Sequence, residues 1–179
     1  MAALREASII DLIRDRYREG AVVGGTSAGA AVMSDRMLTG EADLKAVRRG
    51  GATLADGLGL WRGVIVDQHF LRRQRFNRLL TVVLENPALV GVGIDEQTAV
   101  IVQGEKCEVL GESGVTLIDA REAANTATRE SAARDADRST NETDKIPLSA
   151  RGVRLDLIRA GETFVVARRA GAKREADQP

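Results

Sequence analysis

A single cysteine, Cys107, and a single histidine, His69, limit the chemistry open to this chain. One cysteine can form neither an intramolecular disulfide framework nor a cysteine-based zinc cluster. Aromatic residues make up only 3% of the sequence, so the core must be aliphatic and there is little from which to build base-stacking platforms. The 26 lysines and arginines balance 26 aspartates and glutamates. Without net charge there is no field to draw in nucleic acid or an anionic membrane. No apolar run approaches the roughly 20 residues that span a bilayer. The first stretch, MAALREASIIDLIRDRYREG, is charged throughout and has no signal-peptide core. These absences point to a soluble cytoplasmic protein, and 179 residues make one domain able to bury a core.

What is present reads as helices and strands in alternation. Ile9, Ile10, Ile13 and Tyr17 recur at helical spacing, and Gly20 is placed to end that helix. AVVGG predicts a short buried strand, and AGAAVMSDRM an alanine-rich helix. Residues 39–57, polar and dotted with glycine, predict a long surface connection. GVIVDQHF supplies a strand at Val64 to Val66. RRQRFNRLLTVVLEN supplies a helix with Phe76, Leu79, Leu80, Val83 and Leu84 on one face, closed before Pro87. LVGVGID, TAVIVQG, KCEVLG and GVTLIDA predict four short strands, and VRLDLI and TFVVA two more. The pattern predicts an α/β fold: a mostly parallel sheet flanked by helices, with antiparallel edge strands. Residues 121–149 lack hydrophobic periodicity and predict a disordered insertion, and residues 168–179 predict a polar tail.

GTSAG, residues 25–29, fits the G-x-S-x-G nucleophile elbow. A tight strand-to-helix turn of this kind strains the serine backbone and lifts the Ser27 hydroxyl clear of the sheet. Strand and helix approach closely there, which asks for small residues such as Gly25, Ala28, Gly29 and Ala30. The Ala28 amide is placed to donate to a developing oxyanion. The bland alternative is a glycine-rich corner with an incidental serine.

A serine nucleophile needs a general base that titrates near neutrality, and imidazole is the usual one. With one histidine in the chain, any Ser-His pair must be Ser27 with His69, which sits at the expected C-terminal end of a strand. In open α/β sheets that edge is where sites form. An acid must orient the imidazole. Glu96, just past another strand, is the leading candidate; Asp95 competes, and spacing does not exclude Asp35, Asp43 or Asp56. Arg72, Arg73, Arg75 and Arg78 follow His69 directly. Such density suits bidentate recognition of carboxylate or phosphate, or else a solvated helix face.

Taken together, GGTSAGAAVMSDRM, GLGLWRGVIVDQHFLRRQRFNRLL and VGVGIDEQTAVIV resemble the cyanophycinases, of the serine peptidase family that also contains aspartyl dipeptidase. The order Ser, His, Glu and the intervals between them agree with that family. The resemblance implies a class I glutamine-amidotransferase-like, or flavodoxin-like, sheet. It implies Ser27 as nucleophile, His69 as base, Glu96 as the orienting acid and Ala28 as an oxyanion-hole donor. Asp67, Gln68, Arg73, Arg75 and Arg78 would shape the substrate pocket. The implied activity is exopeptidase cleavage of cyanophycin, a poly-aspartate with arginine on its side chains, to β-Asp-Arg dipeptides. No metal or organic cofactor is implied, and a homodimer is. Against the family pattern the domain reads as N-terminally truncated, without a glycine-rich segment that carries a second oxyanion donor. The alternatives are an aspartyl dipeptidase-like enzyme and a truncated, non-catalytic remnant. An ordinary α/β-hydrolase esterase shares the elbow, but its histidine follows its acid.

Overall fold

Helix and strand follow the sequence closely where apolar residues are dense. The computed structural model describes residues 8–125 and 146–166, with Leu4 and Glu6; the middle of the 121–149 segment and the 168–179 tail lie outside the described residues. In chain order come α1 (Ile10–Arg18), α2 (Ala28–Ala31), β1 (Arg36–Ala42), β2 (Ala52–Asp56), β3 (Val64–Gln68) and α3 (Phe76–Glu85). Then follow β4 (Val90–Ile94), β5 (Thr98–Gln103), β6 (Lys106–Gly111), β7 (Gly114–Asp119), β8 (Ala124–Asn125), β9 (Ala150–Arg151), β10 (Arg154–Arg159) and β11 (Thr163–Val165).

The central sheet runs β10-β7-β4-β3 and is buried on both faces. Alternation along each strand divides its residues between two cores. Val64 and Val66 of β3, Val90 and Val92 of β4, and Val115 and Leu117 of β7 pack toward Cys107, Val109 and Phe164 of the second sheet, β11-β6-β5. Ile65 and Ile118 point the other way, against Leu79, Val82 and Val83 of α3 and Leu38 of the β1-β2 hairpin. Val64, Val83, Val92 and Val109 are fully buried, and each such side chain contributes about 1.5–3 kcal/mol. Phe70 packs on the bare backbone of β4: a Cβ at Gly93 would stand 2.4 Å from its ring. Cys107 is buried, and loss of solvent pushes its thiol up to about 11.

Several expectations need correction. The sheet is mixed. Among the described strands of the central sheet, β3 and β4 pair in parallel, while β4-β7 and β7-β10 pair antiparallel. Connection length explains this: α3 provides the crossover that a parallel pair needs, and no described helix intervenes between β4 and β10. AVVGG forms no strand, and Val22 is 98% exposed. The segment finds no ladder partner among the described residues, so its backbone is not held as sheet.

The helix after Ser27 is only four residues long. The carbonyls of Val32 and Met33 are taken by the amides of Leu58, Leu60 and Trp61, which diverts the chain out of the helix. Residues 39–57 are largely the β1-β2 hairpin rather than an irregular connection, with Thr39 and Thr53 bonded across it. The helix expected from the arginine run begins only at Phe76, and Arg72 and Arg73 lie in the turn before it. The ends of the 121–149 segment are tied down: β8 pairs with β9, and the Leu148 amide donates to the Val47 carbonyl. Among the described residues no helix is long and apolar enough to cross a membrane.

Candidate active site

The residues around Ser27 are dictated by crowding. A Cβ on Gly25 would lie 2.2 Å from the Gly29 carbonyl oxygen, so only glycine allows the chain to turn back over itself. Gly29 is different, with open space where its Cβ would be. Ser27 itself has φ 53° and ψ −119°, a conformation that side-chain-bearing residues rarely adopt. Such strain persists because α2 is docked against β3. The result is an exposed hydroxyl and an Ala28 amide with no hydrogen-bond acceptor among the described residues. Gly25→Ala is expected to displace Ser27 and lower peptide turnover by about 100-fold, the usual consequence of a ~1 Å misplacement. Because the clash is with backbone, the unfolding midpoint should fall as well, and paired kinetic and thermal measurements check both effects.

His69 and Glu96 meet because β3 and β4 are parallel neighbours in register. Gln68 lies opposite Ile94, so the residues just past each strand emerge at the same edge. His69 has φ 51° and Gln97, beside Glu96, has φ 54°. Phe70, buried in the core, fixes the chain directly after His69. The His69 Nε2 stands 3.0 Å from Ser27 Oγ, and its Nδ1 stands 3.0 Å from Glu96 Oε1. A carboxylate can only accept, so Nδ1 carries the proton and Nε2 presents its lone pair to the serine hydroxyl. Arg72 Nε, 3.3 Å from Glu96 Oε2, holds the second carboxylate oxygen. This arrangement can relay a proton from Ser27 to an imidazole whose charged form is stabilised by Glu96.

The competing acids lie apart from the His69 imidazole. Asp95 accepts from the Leu71 amide with Oδ1 and from the Ser113 hydroxyl with Oδ2, both at 3.0 Å, which pins the loop that carries Glu96. Asp43 pairs with Arg48, and the amide of Lys45 holds its carboxyl below the usual range. Asp56 lies beside Arg36, and Asp35 lines a separate cavity.

The other expected substrate residues divide. Gln68 lines the cavity at Ser27, and its Oε1 is buried with no hydrogen-bond partner. Asp67, its neighbour in β3, points to the opposite face and is 1% exposed. There it forms a bidentate pair with Arg78 through Nε and Nη2. Arg75 lies 3.4 Å from Asp67 Oδ1 and donates to the Gln68 carbonyl at 2.6 Å. Burial first, and then the adjacent Arg78, push the Arg75 guanidinium below the ordinary arginine value. Arg73 is exposed, with its amide donating to the His69 carbonyl. Asp67, Arg73, Arg75 and Arg78 therefore lie outside the cavity lining, behind or beside the residues that face it.

The cavity has a volume of about 780 Å³. Val22, Val23, Met33, Leu60, Trp61 and Ile94 supply an apolar wall opposite Ser27, Gln68, His69 and Glu96, and residues 97–102 complete it. Trp61 and β5 were not anticipated as lining. The only signal in the sequence was that Trp61 is the single tryptophan, since the alternation of TAVIVQ marks a strand without saying what its faces touch. Among the described residues no group of three or more His, Cys, Asp or Glu side chains is placed to hold a metal ion.

Comparison with known proteins identifies a family. Residues 1–110, more than half of the chain, match Peptidase family S51. The chain is 36% identical over 163 residues to the cyanophycinase of Geminocystis herdmanii, an alignment that covers 90% of this chain and 56% of that protein. It is likewise 36% identical to the cyanophycinase of Trichormus variabilis, covering 90% and 51%, and 35% identical to that of Synechococcus elongatus, covering 91% and 48%. The chain thus spans about half the length of the curated relatives it matches. On the strength of the family match and these relatives, the chain belongs to peptidase family S51.

Proposed function

We propose that this chain is a serine peptidase that hydrolyses cyanophycin and releases β-Asp-Arg dipeptides. The observation that carries the proposal is the pair of 3.0 Å contacts that join Ser27 to His69 and His69 to Glu96. Ser27 Oγ attacks the scissile carbonyl while its proton passes to His69 Nε2. The Ala28 amide donates to the oxyanion of the tetrahedral intermediate. His69 then gives its proton to the leaving amine, and an acyl-enzyme forms on Ser27. Water attacks that ester with His69 again as base, the carboxylic acid departs, and Ser27 regains its proton. Glu96 stays ionised throughout and stabilises the imidazolium. Gln68, with a buried and unpartnered Oε1 at the cavity, is assigned to the substrate backbone.

The roles of Asp67, Arg75 and Arg78 differ from direct substrate contact in this account. They hold the end of β3 from behind, so that Gln68 and His69 face the cavity. The parallel β3-α3-β4 unit, with its site at the strand C-termini, supports placing the sheet in the flavodoxin-like, class I glutamine-amidotransferase-like group. We assign the protein to the cytoplasm.

Incubation of purified cyanophycin with the 179-residue chain, with Ser27→Ala alongside, tests the proposal. Mass spectrometry is expected to find β-Asp-Arg accumulating with the unsubstituted chain and none with the variant. Cleavage of short aspartyl peptides with intact polymer would shift the assignment to an aspartyl dipeptidase. No product from a folded chain would overturn it.

A further inference from the structure

A second cavity, of about 440 Å³, lies beside the first and shares Tyr17, Leu60, Trp61 and Val102 with it. It contains no part of the Ser27-His69-Glu96 group. Its charged lining falls into two sets. Arg14 is bonded to the Leu58 carbonyl and to Asp11, and Arg18 to Asp15, so the positive charge of α1 is matched within the helix. Asp35, Arg62 and Glu105 are different: among the described residues their side chains make no hydrogen bond or ion pair, although oppositely charged groups share the cavity.

Asp35 is half-buried. Gly59 keeps it open: at φ +69° a side chain there is disfavoured, and its Cβ would stand 2.9 Å from Asp35 Oδ1. A half-buried carboxylate lining the same cavity as an indole is suited to a guanidinium, which can bond the carboxylate in its plane and stack on the ring. Arg62 in turn presents a fork of donors for a carboxylate. One ligand that satisfies both signs at once is a peptide unit with a guanidinium on one arm and a carboxylate on the other.

We propose that the second cavity is a distal subsite that holds the next arginyl-aspartate unit of the substrate chain, with Asp35 and the Trp61 ring taking its guanidinium and Arg62 its carboxylate. Trp61, common to both cavities, separates the unit being cleaved from the unit held beyond it. The inference rests on the peptidase reading above and extends it from the unit being cleaved to the neighbouring unit of the same chain.

The test is calorimetric titration of the full chain carrying Ser27→Ala, which cannot turn over its ligand, with β-aspartyl-arginine oligomers of two and of four units. The longer oligomer is expected to bind about 10-fold more tightly, the size of one charge-assisted contact. Adding Asp35→Asn, or Arg62→Gln, should bring the two affinities close together. Asp35→Asn keeps the side-chain shape, and Arg62 is exposed, so neither change threatens the fold. A length preference that survives both substitutions, or no length preference at all, would overturn the subsite. Turnover of cyanophycin by the unsubstituted chain is read separately. Turnover without length-dependent binding leaves the peptidase and removes the subsite, whereas length-dependent binding lost on Asp35→Asn, without turnover, keeps the subsite and removes the peptidase.

Discussion

Cyanophycin turnover by the His69→Ala protein is expected to fall by about 10⁶-fold, the scale on which serine peptidases lose activity when their base is removed. The reason is specific to this chain. His69 is its only imidazole, so no other side chain can take over the 3.0 Å contact to Ser27 Oγ. A half-buried residue in a left-handed turn contributes little to the core, and the unfolding midpoint should stay close to that of the parent. Ser27→Ala should lose as much, and the double variant no more than either alone, because the two groups act in one proton transfer. Glu96→Gln should lose less, since the imidazole stays in contact with Ser27 while its charged form loses support. Steady-state kinetics with progressively higher enzyme concentration would resolve these differences. His69→Ala activity within tenfold of the parent would exclude the proposed chemistry.

Asp67→Ala is expected to lower stability by about 3–5 kcal/mol, the cost of removing one partner from a buried ion pair. That is a large share of the roughly 5–15 kcal/mol by which domains of this size are stable. Asp67 is 1% exposed and Arg78 6%, so the variant would leave Arg78 and the partly buried Arg75 facing each other without an anion. Burial and the neighbouring Arg78 already depress Arg75 while Asp67 is present. Replacing the pair together, Asp67→Leu with Arg78→Met, should cost less than Asp67→Ala alone, because no uncompensated charge remains. Urea denaturation followed by circular dichroism measures both. A loss under ~1 kcal/mol for Asp67→Ala would mean that water reaches the pair and that it does not brace the end of β3.

The three residues that the structure brings together were more legible in the sequence than the fold around them. Ser27, His69 and Glu96 could be picked out because scarcity did the selecting: one histidine, one G-x-S-x-G turn, and an acid just past a strand. The choice of Glu96 over Asp95 required coordinates, since adjacent residues in a turn can face either way, and it was Leu71 and Ser113 that drew Asp95 aside. Strand parity already separates two of the expected substrate residues. Asp67 and Gln68 are neighbours on a strand and must point to opposite faces, so one of them belongs with α3 and the other with the cavity.

The fold was legible where burial is two-sided and periodic, as in β3, β4 and α3. It was obscured where tertiary bonds override local preference. The segment after Ser27 is rich in alanine, a strong helix former, yet the loop at Leu58 to Trp61 captures the carbonyls needed to continue the helix. The β1-β2 hairpin is interrupted by Gly40 and by a register shift between Leu38 and Ala42, which hides its alternation. Strand direction, likewise, is set by connections and not by strand composition.

The central claim is that Ser27 is a nucleophile activated by His69, and the most direct measurement is its reaction with a fluorophosphonate, followed by intact mass and peptide mapping. The account predicts one phosphonyl adduct per chain, on Ser27, formed with loss of fluoride, slowed by added cyanophycin and absent from His69→Ala. A folded chain that gains no adduct, or gains it at another residue at the same rate in His69→Ala, would contradict it.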